Sequence, residues 1–282
     1  MRGELMVVIA MTREMGSRGR EVALGLAEDL GLQIVQHELA EHVAERMHVD
    51  ASSVNRFLEG TASFFERWGI YSDDLSLRTT EEILDLSAGG NVLFRGWGAT
   101  HVLQAVPHAV CVRVCAPLGD RVAEMMTRLG DVDQSTALAE IRDSDAAHAR
   151  VLAGLFNSQW DDSLNYDAVF NLGRISPSTC VNLIKQLVDS TEHAHSEHAV
   201  ALLNHQRLEA RVRAVLREHP VLRRLGSSFQ THVDAGSGVV TLRGVVVDHA
   251  VKNEAEALIR DLDGVSGVVD EMWVPDVTGF GP

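Results

Sequence analysis

The segment LMVVIAMTREMGSRGREVALGLAEDL occupies residues 5–30 and joins an apolar run, a glycine-containing turn and an amphipathic stretch. The apolar run, residues 5–10, is typical of a buried parallel strand. After Glu21 the apolar residues recur at helical spacing. A strand, a turn and a helix N-terminus in this order direct backbone N–H groups and the positive end of the helix dipole into the turn. The segment therefore predicts a phosphate-binding loop.

The turn departs from the Walker pattern G-x-x-x-x-G-K-[ST] at three positions. Glu14, Arg20 and Glu21 stand where that pattern has glycine, lysine and serine or threonine. An arginine presents a planar fork of donors instead of a compact point charge, so it binds phosphate with a different geometry from lysine. The pattern alone leaves open whether this turn handles a nucleotide.

The composition is that of a soluble globular protein. The chain has 282 residues, of which 45% are hydrophobic and 23% are charged, enough for one large domain or two ordinary ones. A net charge of −15 argues against a general nucleic-acid-binding surface. No apolar run reaches membrane-spanning length, and no signal peptide is apparent. Three cysteines read as reduced, which predicts a cytoplasmic location: Cys111, Cys115 and Cys180.

Strands alternate with helical segments over the first 190 residues. After the first strand, further strands are predicted at residues 32–35, 91–95, 109–115 and 166–172. This alternation predicts an α/β domain whose five-stranded parallel sheet lies between two helical layers. Ligands of such sheets bind at the carboxyl ends of the strands, where residues 12–20 and 95–98 emerge.

The chain changes character after Asp189. Residues 190–206 are polar and rich in histidine, and they predict a helical linker that follows a first domain of residues 1–189. His195 and His198 are one helical turn apart, but no cysteine completes a metal site, so a solvated helix is favoured and no metal site is predicted. Residues 207–275 have the order α-β-β-α-β of a small α+β domain, and residues 276–282 form a tail.

The second domain resembles a BON domain. The similarity rests on the strand-glycine-strand stretch of residues 239–246, on the alanine-rich helix after it, and on residues 263–269. The resemblance implies a module that binds a ligand or a surface and is not an enzyme. A protein, a small ligand or a lipid-like ligand would be its partner, and self-association into a homo-oligomer is the alternative.

Four motifs in the first domain resemble the cytidylate-kinase-like branch of the P-loop nucleoside monophosphate kinases. Residues 9–21 are similar to its S-R-x-x-G-S-x-G-R motif, and residues 94–99 to its G-R-G-A turn. Residues 114–121 are similar to its A-P-L-x-x-R lid entrance, and residues 141–150 and 165–171 follow in the same order. Each motif is weak alone, but their order and spacing support this fold.

The resemblance implies ATP-dependent phosphoryl transfer to a nucleoside monophosphate, with CMP or dCMP as the usual acceptor and with Mg²⁺ as cofactor. It assigns the ATP phosphates to a set of loop residues: Thr12, Arg13, Gly16, Ser17, Gly19 and Arg20. It assigns the acceptor phosphate to Arg95 and a closing lid to Arg121, Arg128 and Asp145. The catalytic arginines would be Arg20, Arg142 and Arg150.

Two alternatives stay open. The family tends to have Asp-Lys after its second strand and a further basic residue on the lid helix, where this chain has Gln36-His37 and Ala146. Together with Glu21, these departures favour a pseudokinase that acts as a nucleotide-responsive regulatory protein. The second alternative is an adaptor in which neither domain binds nucleotide and the arginines only solvate exposed helix faces.

Overall fold

The computed structural model describes residues 6–47, 49–58, 72–96, 98–190, 196–222, 229–234 and 237–275. The chain divides into two compact units, Met1–Ala199 and Val200–Pro282. The sequence also predicts an aromatic-rich insertion over residues 60–79. Residues 60–71 of that insertion, Trp97 and most of the polar stretch before His198 lie outside the described residues.

The first unit alternates strands with helices. Its strands are β1 (Val8–Arg13), β2 (Gln33–Val35), β3 (Val92–Arg95), β4 (Ala109–Cys115) and β5 (Ala168–Asn171). Its helices are α1 (Gly19–Leu30), α2 (His37–Met47), α3 (Ala51–Leu58), α4 (Ser72–Gly89), α5 (Ala99–Leu103), α6 (Leu118–Arg128), α7 (Gln134–Phe156) and α8 (Pro177–Val188). A 3₁₀ turn, Ser163–Asn165, precedes β5.

All five strands are parallel and lie in the order β2-β3-β1-β4-β5, which confirms the predicted sheet. β1 is central, and Met11 is in register with Arg95 of β3 and with Val112 of β4. The carboxyl ends of β1 and β3 therefore meet at one edge of the sheet. The β1–α1 loop, residues 14–18, begins at that edge.

β1 is buried because both faces of a parallel sheet are covered by helices. Val8 and Ile9 have no exposed surface, and Val22 and Leu26 of α1 and Ile184 of α8 complete one face of the core. Fully burying such a side chain contributes about 1.5–3 kcal/mol, so this packing fixes where β1 ends and the loop begins.

The helix ends follow local sequence signals. Gly31 ends α1 in the left-handed conformation with φ of +65°, which glycine adopts without steric cost. The Asp133 side chain accepts a hydrogen bond from the Thr136 N–H at 2.8 Å and begins α7. Ser176 and Pro177 begin α8 in the same way.

Two helices differ from the sequence prediction. The residues Thr79-Thr80-Glu81-Glu82 predict a helix that begins at Thr79. In the structure this helix begins at Ser72, because Leu75, Thr79 and Ile83 are all buried on one continuous face. The polar stretch before Gln206 and the amphipathic stretch after it form one helix, α9 (Glu197–Glu218). No glycine or proline interrupts residues 197–218, so nothing in the sequence ends the helix between them.

The second unit has the order α9, β6 (Phe229–Val233), β7 (Val239–Val245), α10 (His249–Arg260), β8 (Gly267–Trp273). β6 and β7 form an antiparallel hairpin, and β8 runs parallel to β7. Its core includes Val240, Leu242 and Ile259. This is the α-β-β-α-β order that the sequence predicts. Among the residues that the structure describes, no helix is long and apolar enough to cross a membrane.

Candidate functional site

The β1–α1 loop turns tightly between the end of β1 and the N-terminus of α1. Within it the Ser17 N–H donates to the Glu14 carbonyl oxygen at 3.2 Å. Gly16 has φ of +78°, and a Cβ there would lie 2.6 Å from the carbonyl oxygen of Arg121. Only glycine fits this position, because the loop lies directly against the backbone of α6. The first N–H groups of α1 open onto the same turn.

Arg13, which leads into this loop, interacts with the charges of three other arginines, and we call the four of them the arginine cluster. The pKa of the Arg13 guanidinium is lowered to about 10, first by burial and then by three positive charges, those of Arg95, Arg128 and Arg20. Burial and the charge of Arg20 lower the pKa of Arg95 as well. The structure thus brings together Arg13, Arg20, Arg95 and Arg128, four of the residues that the sequence singles out.

The positive charge of the cluster has little compensation. None of Arg13, Arg20 and Arg95 forms an ion pair with a carboxylate of the described residues. The Nε atom of Arg95 is buried without a hydrogen-bond partner in the described part of the chain. Arg13 and Arg95 are partly buried, whereas Arg20 and Arg128 are exposed. Removing a charge from water without pairing it is costly, so Arg13 and Arg95 favour a bound anion.

Ser17 adds a polar group that lacks a partner. Its side chain is 1% exposed, and no described residue forms a hydrogen bond with its hydroxyl. The side chain of Arg13 crosses the loop beside it, because Gly19 has no Cβ: a Cβ there would lie 2.9 Å from the Cβ of Arg13. A phosphate oxygen at the N-terminus of α1 would give the Ser17 hydroxyl its missing partner.

Arg121 and Asp145 hold the loop in place. The Nε of Arg121 donates to the Met15 carbonyl oxygen at 2.8 Å, and the Asp145 carboxylate accepts from the Met15 N–H at 3.4 Å. Arg121 and Asp145 also pair with each other at 2.5 Å. The guanidinium of Arg121 is thus engaged by backbone and carboxylate in this structure.

Glu14 connects the loop to β4 and to the segment after it. Its carboxylate pairs with Arg113 at 2.9 Å and with Arg121 at 3.3 Å. It also accepts from the Ala116 N–H at 3.2 Å. Glu14 stands where the Walker pattern has a glycine, and the sequence pattern predicts no role for it. Its partners are about 100 positions away, so no local pattern could reveal them.

Thr12 lies under the loop and is 3% exposed. Its hydroxyl accepts a hydrogen bond from the indole Nε1 of Trp160 at 2.9 Å. The Arg113 guanidinium lies 5.2 Å from the centre of the Trp160 ring, and the His148 ring stacks on it at 5.5 Å. Trp160 therefore packs β1, β4 and α7 together.

The structure does not place Arg142 or Arg150 in the arginine cluster. Both side chains are exposed on α7, and neither is among the charges that act on Arg13. His148 faces Trp160, and its Nε2 lies 4.0 Å from the position that a Cβ at Gly96 would take. Arg150 is two residues further along the helix, so it points to the opposite side.

Nearby carboxylates bear on the metal that the family resemblance implies. Glu14 and Asp145 are engaged by arginines at the loop. Glu21 lies on α1 and pairs with Arg18 at 2.7 Å. These three carboxylates therefore do not fit a Mg²⁺ site as they stand, whereas Ser17 and the arginine cluster do fit a polyphosphate. Among the described residues, no group of three histidine, cysteine or acidic side chains is arranged to hold a metal ion.

The second unit contains a cavity of about 380 Å³. It lies between α9 and two turns, and its walls include His205, Arg211, Asp234 and Asp263. Positive and negative side chains both line it, so its charge alone selects no class of ligand.

Comparison with known proteins supports both units. The model of the cytidylate kinase-like family matches residues 8–174, and the BON domain model matches residues 204–276. An uncharacterized protein from Eubacterium ventriosum has a similar structure, with 23% sequence identity and a TM-score of 0.52. That match covers 65% of this chain and 99% of the other chain, and it supports the fold alone.

Two further structures are more distant. A sugar kinase from Janibacter sp. has 15% identity and a TM-score of 0.38, and the match covers 68% of this chain and 99% of that chain. A protein from Thermus thermophilus has 16% identity and a TM-score of 0.36, with 66% and 98% covered. No curated protein matches the chain.

Proposed function

Because the chain belongs to the cytidylate kinase-like family and carries a BON domain, we propose that its first unit transfers a phosphoryl group from ATP to a nucleoside monophosphate. CMP or dCMP is the proposed acceptor. The single observation that carries the proposal is the arginine cluster: the charges of Arg20, Arg95 and Arg128 act on Arg13, whose side chain lies at Gly19 beside the unpartnered hydroxyl of Ser17.

The proposed roles follow from position. Gly16, Ser17, Gly19 and the first N–H groups of α1 bind the β- and γ-phosphates of ATP, and Arg13 and Arg20 balance their charge. Arg95, at the end of the neighbouring strand, binds the phosphate of the acceptor. Phosphoryl transfer needs positioned reactants and positive charge around the transferring group, which this arrangement supplies without covalent catalysis.

Arg128 and the two exposed arginines of α7 belong to the proposed lid. Arg128 already acts on Arg13 through its charge. Because Asp145 already bonds α7 to the loop at Met15, Arg142 and Arg150 would reach the phosphates only if their parts of α7 rearranged when nucleotide binds, as lids do when they exclude water. Their assignment as catalytic residues is therefore the part of the proposal that depends on closure.

Mg²⁺ is proposed to arrive with the nucleotide. Its chemistry there is to screen the charge of the phosphate oxygens. Since Glu14, Glu21 and Asp145 are engaged by arginines, the phosphates of the nucleotide themselves would hold the ion.

The BON domain is proposed to bind a protein or a lipid-like ligand and to couple that binding to the first unit. Self-association into a homo-oligomer is the alternative use of the same domain. We propose a cytoplasmic location, where ATP and nucleoside monophosphates are available. With a net charge of −15, nucleic acid is not a proposed partner.

The test is a coupled assay for ADP release with each nucleoside monophosphate in turn. We expect turnover with CMP or dCMP, and a loss of about 10²–10³ in rate for Arg20→Ala. Arg260→Ala is the control, since Arg260 is exposed in the second unit and pairs only loosely with Glu256 at 3.6 Å. Absence of turnover with every acceptor, at enzyme concentrations that would reveal a weak kinase, rejects the proposal.

The second candidate is a nucleotide-responsive pseudokinase. It is favoured by Glu21, whose carboxylate occupies the position of the Walker hydroxyl and is engaged by Arg18. Calorimetric titration with ATP and CMP distinguishes the candidates that remain if turnover is absent. Binding without turnover favours the pseudokinase, and absence of binding leaves only the adaptor.

A further inference from the structure

Arg121 is buried beneath the β1–α1 loop, with 6% of its surface exposed. Three groups surround its guanidinium: the Met15 carbonyl oxygen at 2.8 Å, the Asp145 carboxylate at 2.5 Å and the Glu14 carboxylate at 3.3 Å. We call Glu14, Arg121 and Asp145 the Arg121 clamp. Unlike the arginine cluster, Arg121 has its charge matched by two carboxylates.

The clamp holds both polar groups of one residue's backbone. One oxygen of Asp145 accepts from the Met15 N–H, and its other oxygen pairs with Arg121, which in turn donates to the Met15 carbonyl oxygen. The backbone at Met15 therefore has little freedom to rotate. Gly16 follows at once and lies against the Arg121 carbonyl, so the path into the turn is fixed as well.

The other carboxylate of the clamp secures the start of the loop. Glu14 accepts from the Ala116 N–H at 3.2 Å and pairs with Arg113 of β4 at 2.9 Å. The Glu14 N–H also donates to the Val114 carbonyl oxygen at 3.0 Å. The loop is thus attached to β4 through Glu14 and to α6 and α7 through the rest of the clamp.

We propose that Glu14 and Asp145 are positioning residues that hold Arg121 under the loop and so aim the backbone N–H groups of Gly16 and of residues 18–20 at one bound polyphosphate. This inference rests on the proposed function, because the bound polyphosphate is the triphosphate of the donor, ATP. It assigns Arg121 and Asp145 a role in shaping the site, and not in contacting phosphate as a lid.

The sign of the effect separates this role from a purely electrostatic one. Glu14 and Asp145 are negative charges beside a site for anions, so Coulomb's law alone predicts that removing either would strengthen anion binding. A positioning role predicts the opposite, because a loop that is no longer held in place spreads its donors over several orientations.

The experiment measures the binding of inorganic tripolyphosphate to the full chain by calorimetry. Asp145→Asn is compared with Asp143→Asn, which makes the same charge change at an exposed position of the same helix. We expect binding to weaken about 10-fold to 100-fold for Asp145→Asn and to stay unchanged for Asp143→Asn. Unchanged or tighter binding by Asp145→Asn overturns the inference.

A second pair of variants tests the same inference at Glu14, so that the test still stands if Asp145→Asn does not fold. Glu14→Gln keeps an oxygen that can accept from the Ala116 N–H, and it is compared with Glu28→Gln, an exposed position on α1. The same weakening is expected for Glu14→Gln alone. The conservative variant Asp145→Glu keeps the negative charge and should recover part of the lost affinity.

Amide hydrogen exchange over residues 14–18 gives a readout that needs no ligand. Asp145→Asn should exchange these amides faster than Asp143→Asn does, and equal rates overturn the inference. If the unsubstituted protein fails to bind tripolyphosphate, the proposed function fails, while the exchange rates still decide whether the clamp positions the loop.

Discussion

Arg13 and Arg95 leave neighbouring parallel strands at the same edge of the sheet, and the charge of Arg95 is the largest electrostatic influence on Arg13. Two like charges are held together there because β1 and β3 pair in register, with Met11 opposite Arg95. The backbone thus imposes a repulsion that a bound anion would relieve. Neither arginine pairs with Glu14, whose carboxylate forms ion pairs with Arg113 and Arg121 instead.

Arg20→Ala is expected to weaken ATP binding more than CMP binding. Arg20 lies in the first turn of α1 beside the loop, whereas Arg95, which is proposed to bind the acceptor phosphate, lies at the end of β3. A hydrogen bond to a charged group contributes about 1.5–3 kcal/mol, so ATP affinity should fall roughly 10-fold to 100-fold. Calorimetry with each nucleotide measures the difference, and equal losses for ATP and CMP would contradict the assigned role.

Arg13→Met is expected to stabilise the ligand-free protein and to lower its affinity for nucleotide. The folded-state pKa of Arg13, about 10, is below its ordinary value, so charging Arg13 costs free energy in the folded state. That cost is fully present below pH ~10 and disappears as the pH rises further toward the ordinary pKa of arginine, because the folded protein releases the proton first. Removing it should raise the free energy of unfolding by up to ~3 kcal/mol at neutral pH.

Urea unfolding of both proteins checks this prediction at two pH values. The advantage of Arg13→Met should narrow when the pH is raised from roughly 9 to roughly 11. Arg260→Met, at an arginine whose side chain is 65% exposed, should leave the free energy of unfolding nearly unchanged. An Arg13→Met protein less stable than the unsubstituted one would show that Arg13 is compensated in the folded state.

Gly16→Ala and Gly31→Ala should differ in cost although both glycines have positive φ. Nothing lies within 4 Å of a Cβ at Gly31, so only the backbone strain of about 1–2 kcal/mol applies there. At Gly16 the Cβ would also meet the Arg121 carbonyl oxygen at 2.6 Å, which adds about 1–3 kcal/mol. Thermal unfolding should rank Gly16→Ala as the less stable, and the reverse order would contradict the close packing of the loop on α6.

Trp160→Phe should destabilise the first unit by about 1–3 kcal/mol, because the buried Thr12 hydroxyl loses its donor. Trp273→Phe is the matched control, since Trp273 is 61% exposed on β8 and its replacement should change the free energy of unfolding by less than ~0.5 kcal/mol. Equal effects of the two substitutions in urea unfolding would mean that the bond to Thr12 contributes nothing.

Local signals in the sequence predicted most of the first unit's framework. The apolar run at Ala109–Cys115 marks β4 with its observed bounds, and Gly31, Asp133 and Ser176 mark helix ends where the structure has them. These features depend on a few adjacent residues, so a pattern within one segment is enough to identify them.

The sequence did not predict which arginines form ion pairs with carboxylates. Arg121 and Arg95 look alike in their motifs, yet Arg121 is matched by Glu14 and Asp145 while Arg95 keeps an unpartnered Nε. The difference depends on contacts between segments up to 130 positions apart, as between Met15 and Asp145. It appears only once β1, α6 and α7 are packed together.

All four cationic groups of the arginine cluster are guanidinium groups, and this determines how pH and ionic strength affect binding at the site. Lysine occurs in the chain only at Lys185 and Lys252, and both pair with aspartates away from the loop. Arg13, whose pKa burial lowers to about 10, keeps its charge from pH ~6 to ~9. Acidity in that range therefore acts on binding through the phosphate ligand, whose second ionisation lies near pH ~6, whereas ionic strength, which screens charges over about 8 Å at 0.15 M, acts on the arginine cluster itself.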